Sequence, residues 1–505
     1  MPPTTPSVAH ADPIDNADAS VLAALRSPTR LRIELFAGLA VALALIPEAI
    51  SFSILAGVDP RVGLYASFTM AVTISIVGGR RAMISAATGA VALVIAPVAA
   101  DHGLDYLLAT VLLAGVIQVV FSLVGAARLM RFLPRSVMVG FVNALAIVIF
   151  MAQVPELIDV PFVVYPLVAL GIATLVFLPR FTTLIPAPLV VIVSFTLLAV
   201  VTGIDLPNVG EKGELPSSLP TFLIPDVPFT IDTLRIIAPY AIAMALVGLL
   251  ESLMTAKLVD DITDSHSDKT REGWGQGVAN VVSAMFGGMG GCAMIGQTMI
   301  NVKTSGARTR VSTFAAGLFL LILIVALGDV VARIPMAALV AVMIMVSVGT
   351  MDWHSVRPRT IRQLPASATV IMVVTVVVTV ATHNLAYGVI VGVLTAMVYF
   401  ARRVAHFTEV VEVAHPDEDT CVYAVRGVLF FASSNDLYTQ FDYVNDPARV
   451  IIDLSDAQIY DSSTVAALDA ISLKYERKGK QVEIIGLNEP SRRWHDLSGS
   501  LGGGH

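Results

Sequence analysis

The chain has 505 residues, of which 56% are hydrophobic and only 14% charged, with a net charge of −7. Soluble domains carry about 25% charged residues, so water is excluded as the solvent for most of this surface, and the mean hydropathy of +0.78 points to lipid. Two cysteines, Cys292 and Cys421, give no disulfide or zinc spacing, and no concentrated basic stripe marks a nucleic-acid partner.

Residues 1–20 are rich in Pro, Ala and Asp and lack a basic stretch followed by an apolar core, so they read as a disordered cytosolic tail and not as a signal peptide. Val21 to Arg32 fits a short amphipathic helix at the membrane surface, with Arg26, Arg30 and Arg32 toward the headgroups. From Leu35 to Phe400 long apolar runs dominate. A helix needs about 20 apolar residues to cross the hydrocarbon core. The pattern predicts fourteen segments, at 35–57, 62–78, 82–100, 105–126, 134–154, 162–179, 185–203, 234–258, 273–288, 293–303, 309–328, 333–350, 365–382 and 384–401. The third and tenth are too short or interrupted to be ordinary spans.

An even count puts both ends of the membrane region on one side, and the charges test this. Alternate loops on one side hold Arg80, Arg81, Arg128, Arg131, Arg135, Arg180, Lys257, Lys269, Arg271, Lys303, Arg308, Arg310, Arg357, Arg359 and Arg362. The opposite loops hold Arg61, Lys212, Arg235 and Arg333. Fifteen against four is the bias expected of cytoplasmic loops, so both termini are expected in the cytoplasm of an inner-membrane protein. The acidic, Pro-rich stretch from Asp205 to Asp232 suits an external connection and divides the spans seven and seven. Seven is odd, so the second half enters the membrane inverted, an arrangement that places substrate at the midplane between discontinuous helices.

Each half opens with a long apolar segment that carries one deep carboxylate, Glu48 in the first and Glu251 in the second. A carboxylate at a helix centre costs about 2.5–3.5 kcal/mol, so the functional reading is a proton or cation site coupled to transport. The plainer alternative is a hydrogen-bonded Glu that ties two helices together. Pro47 should loosen the helix beside Glu48. Each third segment opens with small residues, Ser85-Ala86-Ala87-Thr88-Gly89-Ala90 in one half and Gly287 to Ala293 leading to Ile295-Gly296-Gln297-Thr298 in the other. A half-helix starting in mid-membrane aims unpaired N–H groups and about half a positive charge at the centre. Two such ends could bind an anion without a basic side chain. Ser85, Thr88, Gly89, Ala90, Gly296, Gln297 and Thr298 are the candidate substrate contacts. Against this stands the reading that small residues only allow close helix packing.

These residues carry a resemblance. The run AGLAVALALIPEAISFSILAGVDPRVGLYAS (Ala37–Ser67), the run LVGLLESLMTAK (Leu246–Lys257) and the run GGMGGCAMIGQTMINVKTSGARTRVS (Gly287–Ser312) resemble the sulfate permease (SulP) family of anion transporters, to which prestin and pendrin belong. The resemblance implies a seven-plus-seven inverted repeat, with a core of spans 1–4 and 8–11 moving against a gate of spans 5–7 and 12–14. It also implies a homodimer and small anionic substrates such as sulfate, bicarbonate, chloride or dicarboxylates. Many members carry Arg where this chain has Gln297. Lacking that fixed charge, anion attraction rests on the helix ends, which disfavours a chloride channel and favours a co-transported proton or Na⁺.

After Arg402-Arg403 short apolar strands alternate with amphipathic helices. Strands are predicted at 408–413, 420–431, 449–454 and 481–486, and helices near 434–444, 463–478 and 489–497. This α/β pattern resembles the STAS domain of the same family, a place where a cytosolic protein partner could bind. In VIIDLSDAQIYDSSTVAAL (Val450–Leu468), Ser462 and Ser463 occupy the region at which related anti-sigma-factor antagonists are phosphorylated, although Asp461 or Ser462 as a plain helix cap accounts for the same pattern. The terminal Gly502-Gly503-Gly504 run reads as flexible. With no glycine-rich phosphate loop, ATP-driven transport has no support and no cofactor is expected.

The expectation is therefore an α-helical polytopic membrane protein with a cytoplasmic tail (1–33), a transporter domain (34–403) and a cytoplasmic STAS domain (404–500). It is expected to be no enzyme but a proton-coupled symporter of a dicarboxylate, with sulfate or bicarbonate next. The competing readings are an anion channel or exchanger, and a membrane sensor signalling through the tail.

Overall fold

The protein is described from a computed structural model, which covers residues 20–125, 134–181, 186–216, 218–382, 384–405, 409–417, 419–431, 433 and 437–492. Residues 1–19 of the N-terminal tail, the terminal glycines and Arg128 and Arg131 lie outside the described residues. The chain divides into two compact units, Met1–Gly392 and Val393–His505.

The first unit is helical. Its first half contains α1 (Val21–Arg26), α2 (Pro28–Leu55), α3 (Pro60–Val77), β1 (Ser85–Ala86), α4 (Gly89–His102), α5 (Leu104–Leu123), α6 (Arg135–Met151), α7 (Val164–Phe181) and α8 (Ala187–Thr202). Its second half contains α9 (Ile231–Thr263), α10 (Lys269–Met285), β2 (Cys292–Ala293), α11 (Ile295–Met299), α12 (Arg310–Ala326), α13 (Gly328–Ala332), α14 (Met336–Thr350), α15 (Pro358–Gln363) and α16 (Ala366–Thr382), and α17 (Leu385–Ala405) follows. A helix stands at each of the fourteen expected segments. Among the described residues seven helices are long and apolar enough to cross a bilayer, and five more are apolar but shorter. The other two segments are α10, whose Glu272, Gln276 and Asn280 are buried, and α11, which runs on as one π turn, Ile300–Thr304.

One expectation changes. Val21 to Arg32 is not one surface helix. Ser27 is extended and caps α1, Pro28 opens α2, and Arg30 and Arg32 therefore sit in the first turns of the long helix. Pro47 lies inside α2, which continues through it, and Ser51 Oγ donates to the Pro47 carbonyl at 2.8 Å.

Glycine sets how closely these helices approach. A Cβ on Gly115 of α5 would lie 2.6 Å from the Gly277 carbonyl of α10, and one on Gly277 would lie 2.5 Å from that of Gly115. In lipid such small-residue contacts replace the hydrophobic drive of water. Helices α2–α5 pack with α9, α10 and α12 into one group, while α6, α7, α8, α14 and α16 pack into another.

Beside α3 and α9 of the first group the chain breaks helix in mid-unit. β1 pairs antiparallel with β2, Ser85 opposite Ala293 and Ala86 opposite Cys292. Backbone polar groups away from water must be satisfied, and side chains of neighbouring helices do so here. Ser67 accepts from Ala87 N (3.2 Å), Ser252 from Ala293 N (3.1 Å), and Asn280 accepts from Gly291 N at 2.8 Å while donating to the Gly291 carbonyl at 3.1 Å.

The second unit is a four-stranded sheet in the order β3 (Glu409–Asp417), β4 (Thr420–Leu429), β5 (Arg449–Ile459), β6 (Gln481–Ile485), antiparallel at the first pair and parallel at the others. Helix α18 (Ser462–Glu476) makes the crossover from β5 to β6. Alternate residues Cys421, Tyr423, Val425 of β4 and Val450, Ile452, Leu454 of β5 are buried with Val465, Leu468, Ile471 and Tyr475 of α18. The helix expected near 434–444 falls partly outside the described residues, and Tyr438–Phe441 is turn. Strand β5 runs five residues past its expected end, because Gly427, Val428 and Leu429 of β4 continue to pair with it.

Candidate substrate cavity

The two broken segments end at a cavity of about 360 Å³. One wall comes from α2 (Glu48, Phe52), the start of α4 (Thr88, Gly89), α9 (Glu251, Met254) and the start of α11 (Met294, Ile295, Gly296, Gln297). The facing wall comes from α6 (Phe141, Val142, Leu145, Ile149) and α14 (Val346, Gly349, Thr350). Among the described lining residues there is no Lys or Arg.

Thr88 is the N-cap of α4, extended in backbone, and its Oγ1 accepts from Val91 N at 3.4 Å. The first N–H groups of α4 have no carbonyl of their own helix to reach, so Gly89 presents its amide at the cavity. A Cβ there would meet Phe52 at 2.9 Å, whereas at Gly296 it would meet nothing within 4 Å. Backbone is thus open at Gly296, where a ligand can approach it closely, while Phe52 and Ile149 pack against Gly89.

The acidic pair is engaged with neighbours. Glu48 and Gln297 line the cavity together, one from the first half of the chain and one from the second. Glu251 accepts from Cys292 Sγ at 2.8 Å, and that sulfur lies 3.0 Å from Thr88 Oγ1. No cation neutralises either carboxyl group in these contacts.

Six of the expected residues therefore converge: Glu48, Thr88, Gly89, Glu251, Gly296 and Gln297. Ser85, Ala90 and Thr298 do not line the cavity. Ser85 belongs to β1 and its hydroxyl receives Gln276 Nε2 at 2.6 Å. Thr298 Oγ1 accepts from Ile84 N at 3.0 Å, tying the second broken segment to the residue before β1. The Ala90 methyl is fully buried in the first turn of α4. Sequence reasoning overlooked Cys292. Its signal was its place in the break, two residues before the cap of α11, where a polarisable side chain among glycines has a partner to reach. In the second unit Asp461 caps α18 by accepting from Thr464 N at 3.1 Å, and it also accepts from Phe431 N at 2.7 Å. Ser462 and Ser463 are exposed in the helix's first turn.

Comparison with known proteins agrees with this architecture. Residues 31–166 and 162–375 match the Sulfate permease family, and residues 411–501 match the STAS domain. The chain belongs to the sulfate permease family. It is 53% identical over 463 residues to "Putative sulfate transporter YbaR" of Bacillus subtilis strain 168, covering 92% of this chain and 96% of that protein. It is 24% identical over 511 residues to "Bicarbonate transporter BicA" of Synechocystis, covering 92% and 90%. The structure of the murine Slc26a9 anion transporter superposes with a TM-score of 0.82 at 17% identity over 99% of this chain and 93% of that one, a likeness of fold. The transmembrane domain of a cyanobacterial BicA superposes with a TM-score of 0.63 at 26% identity, over 72% of this chain and 98% of that domain. As a member of this family the chain is a multi-pass membrane transporter.

Proposed function

We propose that this sulfate permease family member is a proton-coupled symporter of a small oxyanion, working by alternating access. The observation that carries this reading is the convergence of Glu48, Thr88, Gly89, Glu251, Gly296 and Gln297, from both halves, on one cavity. Helix starts, one hydroxyl and one amide attract an anion, while two carboxyl groups without cationic partners would repel it when ionised. Proton binding at Glu48 removes that repulsion and links anion affinity to the proton. The Gln297 amide supports the link, since it donates to a carboxylate and accepts from a carboxylic acid.

Relatives named for sulfate and bicarbonate move these anions ahead of a dicarboxylate as the substrate, though a cavity of about 360 Å³ accommodates all three. The group of α2–α5 with α9–α12 acts as the core and α6–α8, α14, α16 and α17 as the gate, the cavity lying on their seam. The lining reaches the C-terminal turn of α14, after which come Arg357 and, in α15, Arg359 and Arg362. By the bias of positive charge that side is cytoplasmic, so the cavity faces inward, with the tail (1–33) and STAS domain (404–500) on the same side of the inner membrane. The transporter domain (34–403) forms a homodimer, and the exposed Ser462 and Ser463 face a cytosolic regulatory partner. The test is a panel of labelled sulfate, bicarbonate and succinate taken up by proteoliposomes with and without pH and Na⁺ gradients. Uptake driven by Na⁺ alone, or by neither gradient, would refute proton coupling.

A further inference from the structure

The chain Val91 N, Thr88 Oγ1, Cys292 Sγ, Glu251 is continuous, at 3.4, 3.0 and 2.8 Å, and every member is at least nine-tenths buried. Its two ends are Thr88 and Glu251, and both line the cavity, whereas Cys292 between them does not. Thiols and hydroxyls each donate one hydrogen and accept others, so the order of donors along such a chain is set by its end. With Glu251 ionised, the carboxylate only accepts. The thiol hydrogen then points to Glu251, which leaves sulfur as the acceptor for the Thr88 hydroxyl, and Val91 N–H donates to Thr88. The Thr88 hydroxyl hydrogen is turned away from the cavity. With a proton from cavity water on Glu251, the carboxylic acid donates to sulfur and the thiol donates to Thr88. Thr88 Oγ1 now accepts from both sulfur and Val91 N, and its own hydrogen is free to donate to an anion beside Gly89.

We propose that Cys292 is a positioning residue that transmits the protonation state of Glu251 to the Thr88 hydroxyl, so that the anion meets a donor there only when Glu251 carries a proton. This rests on the coupled-transport reading and gives it a second proton-linked contact beside Glu48. Hydrogen-bonded chains polarise one another in a medium poor in water, and a thiol suits the middle position because it is a weak donor and acceptor, readily reversed. The titratable groups near Glu251 are Cys292 from β2 and Glu48 of α2 on the same wall of the cavity; α4, α5 and α11 present Thr88, Gln118 and Gln297, which carry no charge.

The test is half-saturation for labelled sulfate and succinate, measured in proteoliposomes of the full chain between pH 6 and 8. Wild type should bind more tightly as pH falls, by up to about tenfold per pH unit for each linked proton. Cys292→Ala should flatten this slope by at least about half, Cys292→Ser should restore it, and Glu251→Gln should flatten it too, since an amide donates to sulfur at every pH. A purely structural cysteine would lower melting temperature or maximal rate in Cys292→Ala and leave the pH slope unchanged, which would overturn the relay while sparing proton coupling. A flat wild-type profile, or no saturable uptake of either anion, overturns the coupled-transport reading and the relay with it.

Discussion

Gly291→Ala is the substitution that most sharply probes the crossing of the two broken segments. A Cβ at Gly291 would lie 1.8 Å from the Ala86 carbonyl oxygen, 2.5 Å from its carbon and 3.0 Å from Ala87 N. Contact distances for a real Cβ start near 3.4 Å, so β1 and β2 must separate by roughly 1.5 Å, and backbone offers no side chain that can rotate aside. Overpacking of this kind costs about 1–3 kcal/mol. The larger effect is on function, because Ala86 lies two residues from Thr88, and a displacement of about 1 Å at a binding group can reduce turnover on the order of 100-fold. The assay pairs thermal unfolding in detergent with uptake in proteoliposomes. Gly296→Ala is the companion: its Cβ meets nothing within 4 Å, so the protein should keep its stability while half-saturation rises, as a methyl group enters the cavity. A Gly291→Ala protein with wild-type uptake and melting temperature would refute the claim that the β1–β2 crossing positions the site.

Three further outcomes are expected. Glu272 is fully buried and accepts from Gly79 N, Arg80 N and Gln276 Nε2, each at 2.8 Å; Glu272→Leu leaves these donors unpaired and should cost about 3 kcal/mol or more, read as a fall in melting temperature. Asp461→Ala removes the cap of α18 and the acceptor of Phe431 N, and should destabilise the STAS unit by about 1–2 kcal/mol, seen as faster proteolysis at residues 420–485. Burial, then the charges of Asp446 and Glu412, push the Cys421 thiol up to about 11; because the reactive thiolate forms only as pH rises toward that value and the side chain is closed to solvent, maleimide should label Cys421 at least about 100-fold more slowly at pH 8 than an unfolded thiol.

Much of the membrane unit was legible because lipid leaves the sequence few options. A spanning helix must be apolar and long, so the twelve apolar helices could be placed from hydropathy, with the breaks marked by Ser85–Ala90 and Gly287–Ala293. Glu48 and Glu251 stood out for the same reason. What the pattern could not show was long-range pairing. Whether Ser85, Ala90 and Thr298 point into the cavity depends on Ser85 meeting Ala293 and on Ile84 meeting Thr298, partners more than 200 residues away in sequence. Cys292 gains its importance only from contact with Glu251 and Thr88. The division of Val21 to Leu55 at Ser27–Pro28 was locally encoded, by a residue before proline that avoids helix, but Arg26 and Arg30, four residues apart as on one helix face, masked it. In the STAS unit β5 was read short because Ser455, Asp456 and Gln458 look like loop residues, and their strand conformation comes from β4 alongside.

Concentrative uptake driven by an imposed proton gradient tests the central claim most directly. Proteoliposomes that hold the wild-type protein, acidic outside and alkaline within, should accumulate labelled sulfate or bicarbonate above the external concentration. With Glu48→Gln the same vesicles should only equilibrate, since Gln cannot bind and release the coupling proton. Accumulation by Glu48→Gln at the wild-type level would contradict the account, as would a wild-type protein that equilibrates these anions and never concentrates them.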